Sequence, residues 1–116
     1  MLNNNTIKCA VVIPCYKVSS NILDVIESLG DEVKKIFIID DACPENSGNL
    51  VKSQSSDKRL KILYNSKNIG VGGSTKKGFS EAFKEDDINV CVKIDGDGQM
   101  DTQNIKKILE PFKKEK

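Results

Sequence analysis

KCAVVIP, running from Lys8 to Pro14, is a nearly continuous apolar run rich in β-branched residues. Such a run suits a strand covered on both faces, because a half-exposed strand would alternate apolar with polar residues. A helix follows. Ser19, Ser20 and Asn21 offer caps, and Ile22, Val25, Ile26 and Leu29 recur at i, i+3, i+4, i+7, with Gly30 closing the segment. The same strand–helix unit then repeats downstream. KIFIID (Lys35 to Asp40) reads as a second strand, and a polar loop from Asp41 to Gly48 leads to a short helix around Leu50 and Val51. LKILY (Leu60 to Tyr64) is a third strand, and the glycine-rich Asn68 to Gly73 enters a helix with Phe79, Ala82 and Phe83 on one side. NVCVKI (Asn89 to Ile94) is the fourth strand. It runs into Asp95-Gly96-Asp97-Gly98-Gln99, and Asp101 or Thr102 caps a last helix carrying Ile105, Ile108, Leu109 and Phe112. Strands and helices alternating with crossovers this short mean right-handed βαβ units, a parallel sheet and an α/β fold.

Composition narrows the function. The chain has 116 residues, one domain's worth at most. Eighteen basic residues stand against 17 acidic ones, a net charge of +1, which gives no basic excess for binding nucleic acid by bulk electrostatics. No apolar run approaches the roughly 18 residues of a membrane span. The polar start, Met1 to Thr6, and the short apolar run after it do not form a secretory signal. Four cysteines occur without a C-x-x-C pair and with no histidine. That disfavours a cysteine/histidine zinc site and removes histidine-assisted nucleophiles. Reduced thiols in a cytoplasmic protein are expected, with chemistry left to carboxylates, lysines, hydroxyls, backbone or a metal.

In an open parallel sheet, ligands bind beyond the carboxyl ends of the strands. The residues there are Pro14-Cys15-Tyr16, Asp40-Asp41, Asn65 to Asn68, and Asp95-Gly96-Asp97. Each could be ordinary turn or cap chemistry by itself. Several strand ends with such groups favour a shared site. Asp95-Gly96-Asp97 is the sharpest signal, because two carboxylates separated by one glycine can converge on magnesium or manganese. A calcium loop fails, with Met100 where its glycine and Lys106 where its glutamate belong. The glycine-rich segment lacks G-x-x-x-x-G-K-[ST]. Its Gly70-Val71-Gly72 starts a G-x-G-x-x-G that ends on Thr75 and follows the wrong strand for a dinucleotide fingerprint. Lys76 and Lys77 either meet phosphate charge or are plain exposed helix residues. Asp40-Asp41 follows the second strand, unlike a receiver's acid pair, and an acid there suits recognition of a base or ribose.

These pieces together resemble the amino-terminal half of the family 2 glycosyltransferases. The matching stretches are VVIPCYK (Val11 to Lys17), IIDDACPENSG (Ile38 to Gly48), NIGVGGSTKKGF (Asn68 to Phe79) and KIDGDGQMD (Lys93 to Asp101). The DGDGQ form is most similar to the polyprenyl-phosphate (dolichol-phosphate type) mannosyl- and glucosyltransferases and to bacterial surface-polysaccharide enzymes. The resemblance implies a Rossmann-like α/β/α fold that binds a nucleotide-diphosphosugar. For the four βα units we expect sheet order 3-2-1-4, with Pro14, Asp41 and Asp97 along one edge.

The resemblance also implies roles. Pro14 and Tyr16 would frame the nucleobase, Tyr16 by stacking, and Asp41 would hydrogen-bond the base edge. Asp95 and Asp97 would be the D-x-D motif, meeting the ribose and the Mn2+ or Mg2+ on the diphosphate, with Asp97 as direct ligand. Gly72 and Lys76 lie in the segment that closes over the nucleotide. Two departures stand out. Ala42-Cys43-Pro44 follows the acid pair in place of Gly-Ser, and the chain has about half the length of a full catalytic domain of this family. Residues 1–116 therefore read as a single donor-binding domain incomplete at its carboxyl side, with any catalytic base beyond Lys116. Two functions are open at this stage. One is a glycosyltransferase moving sugar from a UDP- or GDP-sugar to a lipid-phosphate or saccharide acceptor, at a cytoplasmic membrane face when the acceptor is lipid. The other is a non-catalytic nucleotide-binding module completed by another chain.

Overall fold

The computed structural model describes residues 7–98 and 104–113. Its elements are β1 (Cys9–Cys15), α1 (Ile22–Glu27), β2 (Val33–Asp40), α2 (Ser47–Gln54), β3 (Leu60–Tyr64), α3 (Gly70–Ala82), β4 (Val90–Lys93) and α4 (Asn104–Lys113). The four strands form one sheet in the order β3-β2-β1-β4, with every pairing parallel. This is the expected order.

β1 is buried along its whole length, as its apolar run requires. Its residues alternate between two cores, because successive side chains of a strand leave opposite faces. Cys9, Val11, Ile13 and Cys15 join the larger core with Ile22 and Ile26 of α1, Val51 of α2, and Ile105 and Leu109 of α4. Ala10 and Val12 join Phe37, Ile39 and Ala82 in a smaller core under α3.

α3 lies close to the sheet because Gly78 faces Val12. A Cβ at position 78 would overlap the Val12 methyl groups. Gly78→Ala gains about 1 kcal/mol in helix propensity. We still expect a net loss of about 1–3 kcal/mol from overpacking, read as a lower urea midpoint. An unchanged midpoint would refute the tight contact.

Three sequence expectations need correction. Phe83 was expected on the packed side of α3, yet it is the C-cap and 55% exposed. The face of α3 that packs is the small one, Ser74, Gly78 and Ala82, and Phe79 is only partly buried. Ile108 is 40% exposed while Ile105 and Leu109 bury. α1 ends at Glu27 with Ser28 as its C-cap, so Gly30 does not close it. Gly30 is not among the positive-φ glycines either, which among the described residues are Gly70 and Gly98. The caps proposed at Asp101 and Thr102 and the side chain of Phe112 lie outside the described residues.

At the amino ends of the strands sits Arg59, the sole arginine of the sequence. Its guanidinium donates to the carbonyls of Leu29 (3.0 Å), Gly30 (2.7 Å) and Val33 (3.1 Å) and pairs with Asp57 at 2.8 Å. It ties the α1–β2 turn to the start of β3. No arginine is left for the opposite, carboxyl end of the sheet.

Candidate functional site

At that carboxyl end, β1, β2, α3 and the turn after β4 surround one cleft. Pro14, Cys15, Tyr16 and Val18 form one wall. Asp41 and Val71 form a second, and Asp95, Gly96 and Asp97 close the third. Five sequence-predicted residues, Pro14, Tyr16, Asp41, Asp95 and Asp97, are thus brought together. Gly72 and Lys76 do not line the cleft. Lys76 is exposed on α3, and Gly72 has open space where a Cβ would stand.

Tyr16 is 43% exposed, an open aromatic face on the cleft wall. Lys17 Nζ lies 5.5 Å from the centre of its ring, within cation–π reach. Lys17 adopts a left-handed φ of 59°. Its N–H donates to Cys43 Sγ at 3.0 Å, and the Ser19 hydroxyl donates to Glu45 Oε1 at 2.8 Å. The loop carrying Tyr16 is therefore tied to the loop after β2. Burial pushes the Cys15 thiol up to about 12, which keeps it protonated.

Neighbouring residues of an extended chain face opposite ways, and this separates Asp40, the last residue of β2, from Asp41 just after it. Asp40 Oδ1 accepts the Cys43 N–H and Oδ2 the Gly48 N–H, both at 2.8 Å, which fixes the entry to α2. Asp41 turns toward the cleft and is only 3% exposed. Its Oδ1 accepts from Asn65 Nδ2 and the Ile69 N–H at 2.8 Å, and its Oδ2 accepts from the Gly70 N–H at 2.9 Å. A carboxylate at a helix amino terminus complements the macrodipole, and here it anchors α3. Burial alone would raise the Asp41 pKa. Hydrogen bonds from Ile69, Asn65, Gly70 and Ser74 outweigh it and hold the carboxyl below its ordinary range. Asp41 is thus an ionised, acceptor-only group.

The turn after β4 depends on its glycines. A Cβ on Gly96 would stand 3.2 Å from Val18 and 3.3 Å from Ile13 and Ile22. Gly98 has φ +80°. Asp95 and Asp97 are both exposed, and Asp95 Oδ1 pairs with Lys93 Nζ at 2.5 Å. Among the described residues no group of three or more histidine, cysteine or acidic side chains could hold a metal ion. Two carboxylates at one turn still fit magnesium or manganese. Such an ion keeps several waters and is completed by substrate phosphates, without a protein cage.

Sequence reasoning placed Cys15 and Gly96 at the strand ends that form the site but missed Val18 and Val71 as lining residues. Val71 carried a signal, an apolar residue between two glycines at a helix entry, and the structure leaves it 58% exposed on the cleft.

The family described as Glycosyl transferase family 2 matches residues 10–116. Among curated proteins, the chain is 26% identical over 110 residues to the dolichol-phosphate mannosyltransferase of Pyrococcus furiosus, covering 91% of the chain and 30% of that protein. It is 25% identical over 116 residues to the UDP-N-acetylglucosamine–dolichyl-phosphate N-acetylglucosaminyltransferase of Methanococcus voltae, covering 88% of the chain and 46% of the relative. The chain thus spans less than half the length of either. Among solved structures, S. aureus TarS 1-349 superposes with a TM-score of 0.65 at 17% identity, covering 88% of this chain and 31% of that one. That likeness speaks to the fold.

Proposed function

The chain belongs to glycosyl transferase family 2, and on that premise we propose that it binds the nucleotide-diphosphosugar donor of a sugar transfer. The observation that carries this reading is the single cleft uniting Tyr16, Asp41, Asp95 and Asp97. In it, the Tyr16 ring stacks on the base and Asp41 accepts a hydrogen bond from the base edge. An ionised acceptor prefers a base with a ring N–H on that edge, uracil or guanine, to cytosine or adenine, whose ring nitrogen there is itself an acceptor. The donor is accordingly a UDP- or GDP-sugar.

Asp97, with Asp95 beside it, is the group to hold Mn2+ or Mg2+ against the diphosphate. The bound ion supplies Lewis-acid stabilisation of the departing diphosphate. Lys93 holds Asp95, and with the sole arginine committed at the far end of the sheet, lysines and carboxylate-held charge meet the phosphates here. Relatives named for dolichol-linked transfer support a lipid-phosphate acceptor, with a saccharide as the other class. No described helix is long and apolar enough to cross a membrane. We propose action at a cytoplasmic membrane face, residues 1–116 forming the donor-binding domain and the catalytic base lying outside them.

Calorimetry with UDP, GDP, CDP and ADP in manganese tests this. UDP or GDP should bind at least about tenfold more tightly than CDP and ADP, the scale of one charge-assisted hydrogen bond. Equal binding of all four would remove Asp41 from base reading. Sugar transfer by the chain itself would separate an enzyme from a non-catalytic binding module.

A further inference from the structure

We infer that Lys77 and Asn65 are positioning residues that set Asp41 for base recognition, an inference that rests on the nucleotide reading above. Lys77 Nζ donates to Asn65 Oδ1 at 2.7 Å and also approaches the Tyr64 carbonyl at 3.4 Å. The Asn65 N–H donates to the Asp40 carbonyl at 2.8 Å, which fixes its backbone at the end of β3. Its Nδ2 then donates to Asp41 Oδ1 at 2.8 Å and to Ser74 Oγ at 3.1 Å.

The polarity of this chain of contacts is set at its lysine end. An ammonium has donors only, so it donates to the oxygen side of the Asn65 amide and repels the NH2 side. With Lys77 on Oδ1, the NH2 must face Asp41. Reversed, the amide oxygen would face the Asp41 carboxylate, and the NH2 would face the ammonium. Both contacts would be repulsive in a partly buried network, where unpaired polar groups are costly. Without Lys77 the amide keeps only the Asp41 contact to orient it and loses the one that holds its oxygen side. A loosened amide withdraws the Nδ2–H donor that fixes Asp41 Oδ1, and the carboxylate is then free to turn away from the base N–H. Lys77 thus acts on the base through two intervening side chains without touching it. Lys76, its sequence neighbour, is exposed and takes no part in this network.

The test is calorimetry on the folded chain in manganese, with UDP and GDP and their counterparts methylated at the ring N–H. Lys77→Met should weaken the parent nucleotide about fivefold to tenfold. It should change the methylated one, already weaker, by less than about twofold. Lys77→Arg should restore most of the parent's affinity, and Asn65→Leu should reproduce the Lys77→Met pattern. Equal weakening of parent and methylated nucleotides would mean a displaced helix and would overturn the inference, as would no weakening at all. If Asn65→Leu fails to fold, Lys77→Met decides, since that side chain is partly exposed and its stem is preserved. Failure of the wild-type chain to bind either parent overturns the nucleotide reading and this inference together. Binding that ignores both substitutions overturns the inference alone.

Discussion

Manganese should tighten UDP or GDP binding to the wild-type chain and leave Asp97→Ala indifferent to the ion. The reason lies in the donor set. Asp95 and Asp97 share one short turn, and among the described residues no third acid, cysteine or histidine completes a cage. A hexahydrated ion gains little from two mutually repelling carboxylates, because magnesium and manganese part with water reluctantly. A nucleoside diphosphate brings the further oxygens and charge that make binding favourable. Each ligand therefore supplies part of the other's site, and linkage requires each to tighten the other by one common factor, on the order of 5–150-fold.

Asp97→Ala removes one of the two carboxylates of the turn proposed to meet the ion. The residue is exposed, while the packing of the turn rests on Gly96 against Ile13, Ile22 and Val18. The thermal midpoint should stay near wild type. Titrating manganese with and without nucleotide, on both proteins, measures the coupling directly. Equal nucleotide affinity in EDTA, or full coupling retained in Asp97→Ala, would sink the D-x-D assignment.

Much of the fold was legible because burial on both faces leaves a mark in sequence. Val11, Val12 and Ile13 cannot alternate with polar residues when one core takes Val11 and Ile13 and the other takes Val12. Acids and glycines after the strands marked the cleft, since a parallel sheet gathers those positions at one edge. Periodicity did not reveal which side of α3 would pack. Apolar spacing singled out Phe79 and Phe83, but close approach to the sheet rewards the smallest face, and Gly78 against Val12 sets the rotation of the helix. The amphipathic stripe of α4 likewise pointed to Ile108 as well as Ile105 and Leu109, and only the latter two reach the core. The roles of Asp40 and Asp41 were beyond a reading by spacing. Asp40 is held by residues three and eight positions on, whereas every donor to the Asp41 carboxylate comes from at least 24 positions away. For the same reason Lys76 and Lys77 looked interchangeable. Only the fold brings one of them to Asn65.

Asp41→Asn should cost both stability and nucleotide affinity, and its effect on stability should depend on pH. The carboxylate is buried and accepts from Asn65 Nδ2 and the Ile69 N–H on Oδ1, from the Gly70 N–H on Oδ2, and also from Ser74. An amide offers one acceptor atom and one donor atom in their place. If its NH2 replaces Oδ2, it confronts the Gly70 N–H. If it replaces Oδ1, it confronts both Asn65 Nδ2 and the Ile69 N–H. Either arrangement leaves a buried donor unmet and removes the negative charge from the amino terminus of α3. The expected loss is about 2–4 kcal/mol. Nucleotide binding should fall separately by about 1–3 kcal/mol with metal coupling intact, because the base loses a charged acceptor and Asp95-Gly96-Asp97 is untouched. The sign of the pH effect follows from the lowered pKa of Asp41 in the folded chain. Its stabilising contribution is fully present above the unfolded value of about 3.9 and is lost as pH falls through the folded value. The stability gap between wild type and Asp41→Asn should thus be constant from neutral pH down to about 5 and close below about 4. Urea unfolding across that range measures it. Parallel curves would mean that Asp41 is not the ionised anchor of α3, and unchanged nucleotide affinity in the folded variant would take it out of the site.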